Sequence, residues 1–200
     1  MRPLLITLVA CLLATAPALA AGELIITEIM YNSSESTDVE WFEIYNASGT
    51  TLDLTGWWVI DDNASHTQVP LSGTMAPGAV MVMAGTEALF TAKHPGVTNY
   101  FPACFQTHGV EWSLGNGGDQ LNIHDATNAL VCSVLFDDAA PWPTEPDGSG
   151  PSLLLLDADC ADFSDATCWT VGLGDGTPGV LTGTVADGAA TWGDVKALFR

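Results

Sequence analysis

Two hundred residues with 24 acids against four Lys and Arg carry a formal net charge of −20. Such a field repels phosphate backbones and anionic membranes, so nucleic-acid binding is not expected. Hydrophobic residues make up 48% of the chain, enough for a substantial core in a single domain.

The chain opens with Met1-Arg2 as a minimal basic region, an apolar run from Leu4 to Leu13, and the small-x-small box Ala18-Leu19-Ala20. Residues 1–20 read as a secretory signal, with the mature chain starting at Ala21. The apolar run is too short for a membrane span. Leu8-Val9-Ala10-Cys11 has the outline of a lipoprotein box, but apolar sequence continues past Cys11, so simple cleavage is the reading adopted. The expected location is secreted, periplasmic or on the cell envelope. Beyond the signal only Lys93, Lys196 and Arg200 are basic. That acidity suits solubility, or a saline habitat, rather than a specific cationic partner.

Three apolar runs follow, separated by turn residues: Leu24–Met30, Val39–Tyr45 and Trp57–Ile60. Short β-branched and aromatic runs bounded by Asn, Asp, Ser and Gly predict consecutive antiparallel strands. Period-two geometry puts Phe42 and Ile44 in the core and Glu43 outside, beside Trp41 and Tyr45. Val69–Leu71 predicts a short strand, and Ala79–Ala84, apolar on both faces, a central one. Thr86 caps a brief helix, and residues 94–109, with Pro95, Gly96, Pro102 and Gly109, form a long loop. Val110–Leu114, Gln120–His124, Leu130–Phe136 and Ser152–Leu156 complete about eight or nine strands. Without a long helical pattern, the fold class is all-β, a Greek-key sandwich.

Several motifs occur in a fixed order: Glu28-Ile29 with Tyr31-Asn32, Glu40-Trp41-Phe42-Glu43-Ile44 with Asn46, Leu54-Thr55-Gly56-Trp57, Met75-Ala76-Pro77-Gly78, and Leu114-Gly115-Asn116-Gly117-Gly118-Asp119. Together they resemble the lamin-tail domain, an immunoglobulin-like sandwich, over roughly residues 23–180. The resemblance implies that Trp57 points inward, which leaves Trp58 and Ile60 outward as interaction candidates. Glu28, Glu40, Glu43 and Asp61 belong to the same motif. Their expected role is structural, accepting hydrogen bonds from loop amides at strand ends.

Four cysteines remain after the signal. An even count in an exported chain predicts disulfides. Cys160 and Cys168 flank a short acidic loop and are paired here, leaving Cys104 with Cys132. No C-x-x-C occurs and the four histidines are scattered, which argues against zinc. Asp157, Asp159, Asp162 and Asp165 crowd the loop between Cys160 and Cys168 and its approach; carboxylates at that density offer a calcium site as the one candidate cofactor.

No G-x-S-x-G, H-E-x-x-H or phosphate-binding glycine loop is present, and no catalytic residue is assigned. The domain spans residues 21–182, followed by a linker at 183–190 and a tail at 191–200. In the tail, Trp192, Val195, Leu198 and Phe199 recur near helical spacing, predicting a short C-terminal helix with Trp192 and Phe199 as docking candidates. Three functions are carried forward. The first is a non-catalytic binding or adhesion module for a protein or glycan of the envelope. The second is a self-associating surface protein, and the third is a metal-dependent hydrolase built on the acidic clusters.

Overall fold

A computed structural model describes residues 23–183, except 36 and 38. The expected signal at 1–20, the expected linker beyond residue 183 and the expected helical tail with Trp192 and Phe199 therefore lie outside the described residues. The elements in chain order are β1 (Leu24–Met30), β2 (Trp41–Asn46), β3 (Leu52–Asp53), β4 (Trp58–Ile60), β5 (Val69–Pro70), β6 (Thr74–Met75), β7 (Val80–Ala84), α1 (Glu87–Lys93), β8 (Asp119–His124), β9 (Leu130–Phe136), β10 (Leu153–Leu155) and β11 (Trp169–Val171). They build a five-stranded sheet, β11-β10-β1-β2-β7, a four-stranded sheet, β5-β4-β8-β9, and the small pair β3-β6. Every pairing between these strands is antiparallel.

The main core lies between the two larger sheets. Ile26, Ile29, Phe42 and Ile44 from one meet Val59, Leu121, Ile123 and Val134 from the other. Tyr31 spans the layers, its ring 5.0 Å from that of Phe136. The four-stranded sheet follows the half-buried pattern, with apolar residues inward and Gln120, Asn122 and His124 alternating outward along β8.

The five-stranded sheet departs from the expected pattern. Glu43, expected outside with Trp41 and Tyr45, is fully buried, as is Trp41, and Tyr45 is 7% exposed. A second layer covers this face. Phe90 of α1 joins Met30, Trp41, Val82, Ala84 and Cys104 in a separate cluster. The segment around Gly176–Gly179 lies over the carboxylates of Glu28 and Glu43. Alternation in β2 reports two faces but not how far each is covered.

Val110–Leu114, expected as a strand, pairs with none. Its amides have other acceptors: Val110 N–H donates to Thr67 Oγ1 and Leu114 N–H to a Glu40 carboxylate oxygen. Its apolar residues Trp112 and Leu114 still enter the core. The eleven strands among the described residues exceed the eight or nine expected because β3 and β6 have two residues each and β11 only three, too short for a periodic signal. Thr86 occupies the position before α1, but its hydroxyl donates to Gln106 Oε1 instead of capping the helix. No helix among the described residues is long and apolar enough to cross a membrane.

Candidate functional site

The β1–β2 pair gathers two carboxylates. A register shift between Ile26 and Glu28 inserts one extra residue into β1, so Thr27 and Glu28 both reach the covered face. Glu28 then stands directly opposite Glu43, and neither is exposed. Glu28 accepts from the Ser152 hydroxyl, the Thr177 amide at 2.9 Å and the Thr177 hydroxyl at 2.8 Å. Glu43 accepts from the Thr27 hydroxyl at 2.6 Å and the Gly179 amide at 3.0 Å. Burial pushes the Glu43 carboxyl up to about 7; the Thr27 hydroxyl opposes this and the Glu28 charge adds to it. Burial raises Glu28 as well, against the donors from Ser152 and Thr177. Glu40 receives the Leu114 amide at 2.6 Å. Each of these acids ties one loop to a strand, and Glu28 and Glu43 are closed to solvent.

A second group forms where β4 ends and β8 begins. Asp61, Asp62 and Asp119 each bring one oxygen to within 4.8 Å of the others. Asp61 accepts from the Asn63 amide and lies 2.5 Å from His66 Nδ1. Asp119 accepts from the Gly115 and Gln120 amides, and burial raises its carboxyl.

The expected calcium ligands do not gather in this way. Instead Asp157, Asp162 and Asp165 each fold back on their own loop, accepting from the amides of Asp159, Ser164 and Thr167. Among the described residues, the acids that bring three oxygens together are Asp61, Asp62 and Asp119, and not Asp157, Asp159, Asp162 and Asp165. Short side chains bonding to the backbone two residues on make turns, which accounts for the density of Asp in this loop.

Cys160 and Cys168 form a disulfide, with Cα atoms 6.3 Å apart. The pairing of Cys104 with Cys132 is corrected: both are free and buried. They sit on opposite sides of the five-stranded sheet, Cys104 under α1 and Cys132 in the main core. Burial raises both thiols, Cys132 to about 12, so neither offers a ready thiolate.

The third group is on the outer face of the four-stranded sheet. Register places Pro70 opposite Trp58, Trp58 opposite His124, and His124 opposite Leu130, one residue from each strand in a single row. The Trp58 and His124 rings stack 4.0 Å apart at 5°. The indole N–H donates to Asn128 Oδ1 at 3.3 Å, and Asn128 holds a left-handed turn at φ 67°. Beside this row, Gln120 donates to Asn122 and Ser133, Ser133 donates to Asn122, and Asn122 donates to the Asp61 carbonyl. Trp58 is half-buried. Ile60, expected to be open to solvent, is only 8% exposed; the neighbouring Asn122 reaches across to the end of its strand. Trp57 packs partly against the main core.

Sequence reasoning missed His124, Asn122, Gln120, Asp62, Asp119 and His66. The alternation Gln120-Leu121-Asn122-Ile123-His124 announced the first three as one face. Their meeting with Trp58 depends on pairing across sixty residues and left no local signal.

Among the described residues, two larger antiparallel sheets packed over a main core, with one short α-helix at the rim, define an immunoglobulin-like sandwich. A family model described as Lamin Tail Domain matches residues 17–137, and the chain belongs to that family. The match ends before β10 and β11, and before Ser152, Thr177 and Gly179, which hold Glu28 and Glu43. The chain is also similar to a protein of Coprinopsis cinerea named AA9 family lytic polysaccharide monooxygenase AA9-X282. The two are 23% identical over 165 residues, covering 78% of this chain and 46% of that protein. The chain thus spans about half the length of the curated relative it matches.

Proposed function

We propose that the chain is an exported, non-catalytic binding module, and that the outer face of its four-stranded sheet is the docking surface. One observation carries this reading: the row Pro70–Trp58–His124–Leu130, with its indole fixed by Asn128. An aromatic side chain whose orientation is already set loses little entropy on binding, which is how anchor residues act. The N-terminal signal pattern and the Cys160–Cys168 disulfide support a site of action outside the cytoplasm. The partner is an envelope protein or glycan. Glu28, Glu40 and Glu43 serve the fold, since each accepts donors from its own chain.

The likeness to part of a protein named for polysaccharide chemistry agrees with a module that works beside another activity. A second reading, self-association, is favoured by β9, an edge strand with Leu130 and Leu135 exposed at 44% and 55%. Light scattering across a concentration series separates the two: a mass that stays monomeric removes self-association.

The binding reading is tested by comparing the wild type, Trp58→Ala and Leu173→Ala on immobilised envelope material. Leu173 is exposed and follows β11 of the other sheet. Loss of retention in the Trp58 variant alone supports the proposal. Equal retention of all three would move the binding surface elsewhere.

A further inference from the structure

We infer that the ligand of this sheet face is a neutral polysaccharide chain, its sugar rings lying along the Pro70–Trp58–His124–Leu130 row and its hydroxyls meeting the Gln120–Asn122–Ser133 ladder. The inference rests on the docking surface proposed above and names the chemistry it takes.

Charge is the first argument. The net charge is −20 with 24 acids, yet the outward positions within the four strands, among them Trp58, Gln120, Asn122, His124, Leu130 and Ser133, hold no Asp, Glu, Lys or Arg; the acids Asp62 and Asp125 fall just beyond the ends of β4 and β8. A surface for a cationic protein would place acids here, where the chain has them in excess. An anionic polymer is repelled by the whole molecule. A partner matched to this face is itself uncharged.

The second argument is the mixture of groups. A protein–protein hot spot of ordinary size centres on a packed apolar patch. This face instead sets one aromatic–aliphatic row beside a row of amides and a hydroxyl. A pyranose ring offers an apolar C–H face and an equatorial belt of hydroxyls that both donate and accept. Amide and hydroxyl side chains also do both, while the stacked rings supply the apolar contact. His124 covers one indole face, and Pro70, opposite Trp58 on the neighbouring strand, is exposed. The ladder's own bonds use the Gln120 amide nitrogen and leave its side-chain carbonyl without a protein partner among the described residues.

The third argument is extent. Four strands at the usual interstrand spacing carry the row over about 14 Å. That length suits several units of an extended chain. A monosaccharide pocket would be concave and enclosed, and this face is an open sheet.

The full chain is passed over a panel of insoluble neutral polysaccharides, namely cellulose, chitin, xylan, mannan and β-1,3-glucan, with alginate as the anionic control. Retention on at least one neutral polymer is expected, and it should persist at high salt because no charge pair carries it. Trp58→Ala should lower that affinity about tenfold or more, as loss of an anchor does. Asn128→Gly keeps the left-handed turn, removes the indole's acceptor and should weaken binding less. Leu173→Ala should bind as wild type. Retention that survives both Trp58→Ala and Asn128→Gly, or salt-sensitive retention on alginate alone, overturns the inference. If no polysaccharide is retained while a protein partner depends on Trp58, the docking surface stands and the glycan assignment falls. If neither binds, both fall.

Discussion

Glu28 and Glu43 face each other across β1 and β2 with neither carboxylate exposed. A carboxyl held above its ordinary range in the folded state binds a proton that the unfolded chain has already lost. Its contribution is therefore complete below the usual carboxylate range and is lost as pH rises through the folded value. For Glu43 the window runs from its unperturbed value of 4.5 to about 7. The melting temperature should fall across this interval, by an amount equivalent to roughly 2–4 kcal/mol from this group. Glu43→Gln, which cannot ionise, should flatten that slope while lowering stability at acid pH, where it loses one of the two acceptor oxygens. Melting curves from pH 4 to 8 decide it; identical slopes would place the pH dependence elsewhere. Tyr31 gives a simpler case. Its ring is buried and its hydroxyl has no hydrogen-bond partner among the described residues. Replacing such a group by hydrogen removes a desolvation penalty, so Tyr31→Phe should leave the melting temperature unchanged or raise it. A loss of about 1 kcal/mol or more would show that the hydroxyl is satisfied. At this scale the sequence announced little: the carboxylates stood out by type, but burial and partners depend on residues more than a hundred positions away.

Among the elements, legibility followed length and cover. Strands with a full period, such as β8 and β9, could be read directly. The segment 110–114 had the composition of a strand but met side-chain acceptors where a neighbouring strand was expected. Cysteine pairing depended on geometry that composition does not carry. Bridging Cys160 and Cys168 needs only a short loop, whereas Cys104 and Cys132 are separated by a sheet. A chain beginning at Ala21 and unfolded in denaturant should therefore titrate two thiols, and four after reduction. None before reduction would restore the second bridge. Gly176 tests the strap over the carboxylates. It sits at φ 81°, and a Cβ there would lie 2.5 Å from Trp41 Cζ2 and 3.1 Å from Glu28 Oε1. Gly176→Ala combines backbone strain with overpacking and should cost about 2–4 kcal/mol by thermal or denaturant unfolding. A loss below about 0.5 kcal/mol, within ordinary surface variation, would mean that the strap yields freely.

Across the molecule, the sandwich could be read from strand spacing and motif order, because both are properties of consecutive sequence. The proposed docking face could not, because its residues come together only once β4 and β8 are paired. The strap also fixes when the molecule can become itself. The chain emerges from its N-terminus, so β1 and β2 are made early, with two facing acids whose donors at Ser152, Thr177 and Gly179 arrive more than a hundred residues later. Until then the pair is unfavourable to bury, and contacts this distant in sequence form slowly. A ribosome- or membrane-bound intermediate should stay protease-sensitive along β1–β2 until residue 179 has passed. The far end of the domain thus completes the burial of the hairpin's two acids, so the earliest strands of the chain depend on its latest for their cover.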